Sequence, residues 1–205
     1  MQDLFTTLRL GGITMIPLGI CSLLGVMIVL ERMGALRHHR VIDPRVLRLI
    51  DEYDDEELAK SALITCQRAR GPFARIIEEV ILRRHLDHAQ AIESMHAVGR
   101  TEITRLERGL TLLEIIGSIS PFLGLLGTVM GMITMFKGIA APGAGNAQLL
   151  SQGISEALIT TVAGLFIAIP AVAFHSILTK RVEDLAVEMQ DRATSFLLRV
   201  QSLQK

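Results

Sequence analysis

Three long stretches of this chain carry almost nothing that prefers water. Leu10–Leu30 runs 21 residues without Asp, Glu, Lys, Arg or His. Ile115–Phe136 repeats this over 22 residues, and Ala157–Thr179 over 23 with His175 as its one ionisable side chain. A helix rising 1.5 Å per residue needs about 20 apolar residues to cross the hydrocarbon layer, so each stretch is long enough to span a membrane. Three such runs in 205 residues exclude a soluble enzyme, a disordered protein and a nucleic-acid module. The 21 basic and 21 acidic residues also cancel, leaving no net charge for a phosphate backbone. The chain reads as an all-α, polytopic membrane protein.

The basic residues orient it. Between Glu31 and Glu114 there are 14 Lys/Arg, and from Lys180 to the end there are five; only Arg9 and Lys137 lie elsewhere. The positive-inside bias therefore puts the loop after the first span and the C-terminus in the cytoplasm. The expected organisation is an external N-terminus (1–9), spans at 10–30, 115–137 and 156–179, a cytoplasmic helical region (31–114), an external loop (138–155) and a cytoplasmic C-terminal helix (180–205). The first run is read as a retained span, because it is long for a signal and no small-residue cleavage site precedes Glu31. Cys21 and Cys66 fall in the first span and in the segment after it, and imply no disulfide.

The cytoplasmic segment is rich in helix formers. Val46, Leu49 and Ile50 form one short apolar stripe; Phe73, Ile76, Ile77, Val80 and Ile81 form another after the Gly71-Pro72 break. From Ala89 a three–four spacing continues through Ile92, His96, Gly99, Ile103, Leu106, Leu110 and Leu113. That phase predicts one helix from about Asp87 to Phe136, on the order of 70 Å long. Beyond Thr179, the apolar face Val182, Leu185, Met189, Phe196, Val200 and Leu203 predicts a second span-to-cytoplasm helix. The glycines and proline of Gly138–Ser155 (Pro142, Gly143, Gly145) with Asn146 predict a tight external turn.

Span two carries a stripe of small residues: Gly117, Ser120, Gly124, Gly127 and Gly131. Small side chains let helix backbones approach closely in lipid, so these positions predict tight packing against a neighbour, other copies of the chain included. Thr128 lies in mid-span, Thr160 and Thr161 in the outer half of span three, and Glu156 at its start. Hydroxyls in spans commonly bond back to their own helix, whereas a carboxylate near the membrane must snorkel, pair or stay protonated. His175 reads as an interfacial residue near the cytoplasm. DEYDDEE over Asp51–Glu57 reads as a solvated helix start, lacking the glycine of a calcium loop. His85-x-x-His88 has no convincing third ligand. Arg68, Arg70, Arg83 and Arg84 are expected to face water or headgroups. No nucleophile–base set, nucleotide loop, redox motif or cofactor site is present, and no enzyme activity is expected.

SPFLGLLGTVMGMITMF over Ser120–Phe136 and GISEALITTVAGLFIAIPA over Gly153–Ala171 resemble the second and third spans of the MotA/TolQ/ExbB proton-channel family. The ExbB/TolQ branch fits better than the flagellar one, which normally has four spans and a larger cytoplasmic domain. The resemblance implies a bacterial inner-membrane homopentamer around a dimer of a single-span ExbD/TolR-like partner bearing a membrane aspartate. It implies a proton pathway lined by Thr128, Thr161 and Glu156, with Thr160 a possible minor contributor. Proton motive force would then drive import through a TonB-like protein or envelope maintenance through a TolA-like one. The residues are consistent with needing that partner, since no aspartate occurs in any span and a hydroxyl does not readily hold a transported charge. The rival reading is a non-conducting scaffold that only positions other proteins.

Overall fold

The computed structural model describes residues 12–54, 58–69, 71–139 and 147–203. No strand occurs among them. The helices are α1 (Met15–Ala35), α2 (His38–Val41), α3 (Pro44–Asp51), α4 (Ala59–Ala69), α5 (Pro72–Leu82), α6 (His88–Glu107), α7 (Leu110–Ile139) and α8 (Ala147–Ser202). Three of them, α1, α7 and α8, are long and apolar enough to cross a membrane. Two compact units emerge. A membrane unit holds the chain up to Leu30 with Gly109–Ile177, and a bundle unit holds Glu31–Arg108 with the chain from Leu178 onward.

The membrane unit is apolar on its outside. Phe166 is 80% exposed, Leu23 72% and Phe122 69%, a surface that only lipid or other protein can cover. Its interior is made of small residues instead, where α7 meets α8.

The bundle unit follows ordinary rules. Asp43 caps α3, its carboxylate accepting from Arg45 N at 2.8 Å, and Pro44 follows where a missing N–H costs nothing. Asp87 caps α6 in the same way. Gly71, ahead of α5, packs so closely on the Arg40 and Val41 carbonyls that a Cβ would sit 3.2 and 3.3 Å from them. The α5 stripe Phe73, Ile76, Ile77, Val80 and Ile81 is buried throughout. So is one face of α8, from Leu178 through Val182, Leu185, Met189, Ala193, Phe196 and Val200. The Tyr53 ring meets Phe196 edge-on, centroids 5.2 Å apart, and Arg199 donates to the Ile50 carbonyl at 2.8 Å near the end of α3. Arg83 pairs with Glu79 at 3.1 Å, and Arg84 donates to the Ile81 carbonyl. His88 is bonded to Gln201, and Arg68 is exposed. Asp51 closes α3 and Asp54 is exposed; Asp55, Glu56 and Glu57, like Arg70, lie outside the described residues.

Two expectations are corrected. The helix expected over Asp87–Phe136 is divided: α6 ends at Glu107 and α7 starts at Leu110, with Gly109 at φ +88° between them. That backbone conformation is open to glycine but disfavours any residue with a Cβ, and it interrupts the helix. Second, the face that α6 buries is shifted: Ala91, Met95, Glu102 and Leu106 are buried, while of the expected stripe within α6 Leu106 is buried, Ile92, His96, Gly99 and Ile103 are half-buried and Ala89 is exposed. Glu102 is a charge placed in the core by two arginines. Its carboxylate accepts from Arg75 Nη1 at 3.0 Å on each oxygen, and from Arg105.

The Glu102 side chain is 3% exposed, while Arg75 and Arg105 are 46% and 57% exposed. The arginines can rehydrate if the acid is lost; the acid cannot if they are. Arg75→Leu with Arg105→Leu is therefore expected to destabilise the bundle by about 3 kcal/mol or more, and Glu102→Leu by distinctly less. Thermal unfolding of the two variants reads the difference.

Cys66 sits in the same unit at 2% exposure. Burial first, and the Glu78 carboxylate second, push its thiol from 9.0 up to about 12. An acid with a raised folded pKa favours the fold while protonated. Its contribution is complete below about pH 9 and is lost as pH rises toward 12. Maleimide at pH 8 is expected to spare Cys66 in the folded protein and to modify it after denaturation.

Candidate functional site

The membrane unit is organised by α7 against α8. A Cβ on Gly117 would meet the Val172 side chain at 2.7 Å, and one on Gly124 the Thr160 carbonyl at 2.8 Å and Thr161 Cα at 3.2 Å. On Gly131 it would meet the Gly153 carbonyl at 2.7 Å, and on Gly164 the Ser120 carbonyl at 2.6 Å. Gly127 packs on the Thr160 and Thr14 hydroxyls. Residue numbers fall along α8 as they rise along α7, so the helices are antiparallel and backbone touches backbone over four turns. The small stripe is thus consumed by α8 of the same chain.

The hydroxyls of Ser120, Thr128, Thr134, Thr160 and Thr161 return their protons to their own helix. Thr128 donates to the Leu125 carbonyl at 2.7 Å, Thr161 to Ala157 at 3.2 Å, and Thr160 to Glu156 and Ala157 at 3.0 Å each. Ser120 donates to Ile116 at 2.6 Å, and Thr134 to Met130 at 3.0 Å. A hydroxyl has one proton and two lone pairs. With the proton committed, the oxygens of Thr128, Thr134 and Thr161, which are not buried, are left as acceptors for a water or a protonated acid, whereas Ser120 and Thr160 are fully buried.

The candidate residues divide between two sides of the α7–α8 pair. α1 lies along one side, where Gly25 meets Ile116 and Leu113, and Thr14 meets Gly127. On this side stand Thr160, fully buried, and the Glu156 carboxylate, which lies directly on Gly12 (φ +67°), just before α1. A Cβ there would clash with Glu156 and would also be strained by the positive φ. Thr161 follows Glu156 by five residues, about 140° around the helix, and so turns away from it. Thr128 is one position past Gly127 and likewise leaves the α1 side. Both are half-buried. The fold therefore gathers Glu156, Thr160 and Thr14 under α1, and leaves Thr128 and Thr161 on the opposite flank, which α1 does not cover.

Thr14 was missed in the sequence. It lies inside an apolar run, and the available signal was a lone hydroxyl near the outer end of that run, level with Glu156. The residues of the expected external turn, Pro142, Gly143, Gly145 and Asn146, lie outside the described ones. Among the described residues, no three His, Cys, Asp or Glu side chains stand close enough to hold a metal ion.

Residues 68–191 match the model of the MotA/TolQ/ExbB proton channel family. The chain is 34% identical to the biopolymer transport protein exbB1 of Vibrio cholerae, over 82% of this chain and 75% of that one. It is 33% identical to an ExbB-like biopolymer transport protein of Synechocystis, over 82% and 80%. With the biopolymer transport protein ExbB of Salmonella typhimurium, identity is 41% over 50% of this chain and 40% of that one. The family is one of channels rather than enzymes. With three membrane-length helices, a small-residue seam between two of them and the matched family spans, this chain belongs to the MotA/TolQ/ExbB proton channel family, in its ExbB branch.

Proposed function

We propose that this proton-channel subunit works as one of five copies in a bacterial inner-membrane ring around a dimer of single-span, ExbD/TolR-like partners. Its N-terminus is periplasmic and its C-terminus cytoplasmic, in line with the basic residues of Glu31–Glu114 and the C-terminal segment. The observation that carries the reading is the uncovered flank of the membrane unit. There Thr128 and Thr161 offer acceptor oxygens on a wall of otherwise apolar side chains. That wall suits an incoming helix that brings its own carboxyl group.

The chemistry follows from solvation. A carboxylate is costly in a dry passage, and protonation removes that cost. A protonated carboxyl can donate to a threonine oxygen and move along the wall; the ionised form must return to water. Each proton crossing contributes about 2.3 kcal/mol per 100 mV, enough to bias a rearrangement of the partner. Glu156 lies across the helix pair from this flank, against Gly12 at the start of α1, and we assign it to the outer entrance of the passage rather than to its wall. The work is passed to a TonB- or TolA-like protein, for import across the outer membrane or for envelope maintenance.

The test is made on the complex with its single-span partner. Thr128→Ala and Glu156→Gln are each expected to lower proton flux into vesicles by roughly tenfold while leaving the amount of assembled complex unchanged. A scaffold that only positions other proteins gives the opposite result: both variants are silent, and collapsing the proton gradient changes nothing.

A further inference from the structure

Between residues 109 and 177 the sequence contains four ionisable side chains other than Tyr and Cys: Glu114, Lys137, Glu156 and His175. Lys137 and Glu156 belong to the end of α7 and the start of α8. Glu114 and His175 stand at the other end of the unit, one on each helix, with His175 Nε2 4.0 Å from Glu114 Oε2. The imidazole is 24% exposed and the carboxylate 65%. Both lie outside Ser120–Phe136 and Gly153–Ala171, the two stretches that resemble the family's spans.

Its register supplies one. Glu114 precedes Thr128 by 14 residues, and His175 follows Thr161 by 14. Fourteen residues bring an α-helix back to within about 40° of the same face, about 21 Å along its axis. Both members therefore lie below the two threonines, toward the flank that α1 leaves uncovered. α1 brings no ionisable residue to this end within the membrane unit, as Leu10–Leu30 has none. The next charge along α8, Lys180, is held by Asp184 at 2.9 Å and Glu183 at 3.8 Å on its own helix.

We propose that Glu114 and His175 form the proton-release site of the channel, taking protons that arrive along the Thr128/Thr161 flank and handing them to water at the inner surface. This rests on the reading of that flank as the proton path. The neutral imidazole is the acceptor. An O–H bond of an arriving protonated water breaks as Nε2–H forms, leaving neutral water and an imidazolium facing the Glu114 carboxylate. The Nε2–H bond then breaks toward inner-surface water, which leaves as hydronium, and the neutral ring is restored. No electrons are exchanged. Imidazole suits the task because a ring nitrogen can accept a proton and give it up again. A pair that merely ties α7 to α8 would carry no proton.

The experiment measures proton flux through the assembled complex, with its single-span partner, in vesicles whose inner-surface side is set between about pH 5.5 and 8. The unaltered complex is expected to show a flux that depends on the inner-surface pH. His175→Gln is expected to lower flux on the order of tenfold or more and to flatten the profile. Imidazole added on the inner-surface side should restore flux in His175→Ala. Glu114→Gln should lower flux severalfold, because the imidazolium loses the carboxylate that faces it. Flux and profile unchanged in His175→Gln overturn the proposal, as does a loss in His175→Ala that imidazole leaves unrepaired. If the His175 variants do not assemble, Glu114→Gln decides, and unchanged flux there overturns it. Thr161→Val separates the two levels: loss of flux there with an indifferent His175→Gln sinks the release site alone, whereas full flux in Thr161→Val sinks the pathway beneath it.

Discussion

Thr161→Val is expected to leave the complex assembled and to lower proton flux by roughly 10- to 150-fold, the equivalent of a charge-assisted hydrogen bond worth about 1.5–3 kcal/mol. Valine keeps the shape and the β-branch, so α8 loses little. The one bond removed is a return to the Ala157 carbonyl, a group that already accepts from the backbone four residues on. What disappears is an acceptor oxygen on the uncovered flank. Thr160→Val is the internal control. Its hydroxyl is buried under α1 against Gly127 and satisfied twice by its own helix. Flux in that variant should stay near that of the unaltered chain. Flux measured beside the yield of complex tells the two positions apart, and equal behaviour of the two would remove the distinction between the flanks.

The second large effect is expected at Gly124. A Cβ there meets the Thr160 carbonyl at 2.8 Å, Thr161 Cα at 3.2 Å and Gly164 Cα at 3.4 Å. All three are backbone atoms, which cannot rotate aside as a side chain would. Gly124→Ala should cost about 1–3 kcal/mol by overpacking, and Gly124→Leu should force α7 and α8 apart, leaving little folded protein in the membrane. Gly19 offers the contrast, having nothing within 4 Å of its virtual Cβ. Gly19→Ala is expected to be neutral or slightly stabilising, since alanine favours a helix by about 1 kcal/mol over glycine. Yield and heat resistance in detergent check both.

The two positions also mark how far the sequence could be read. The spans were legible because the membrane imposes length and polarity on any chain that crosses it. The bundle stripe Phe73–Ile81 was legible because water imposes a helical period on any face it must not see. Gly109 was not, because a glycine within a continuing apolar phase looks like any small residue until its φ is known. Glu102 was not, because a carboxylate is assigned to water unless its partners are known to arrive, and Arg75 comes from another helix, 27 residues earlier.

The candidate site divides along the same line. The sequence by itself determined that this chain has three helices of membrane length, that small residues line one face of α7, and that Thr128, Thr160, Thr161 and Glu156 are among the polar groups set among apolar ones. These follow from residue type and helical period alone, which are local; the choice of Thr128, Thr161 and Glu156 came from the resemblance to the family. Only the tertiary structure decided that the glycine face is filled by α8 of the same chain, that α1 covers Glu156 and Thr160 with Thr14 beneath it, and that Thr128 and Thr161 are left on the open side. It alone also set Glu114 against His175. Such choices depend on which helix faces meet and in what register, and contacts between residues 22 to 144 positions apart leave no period in the sequence to read.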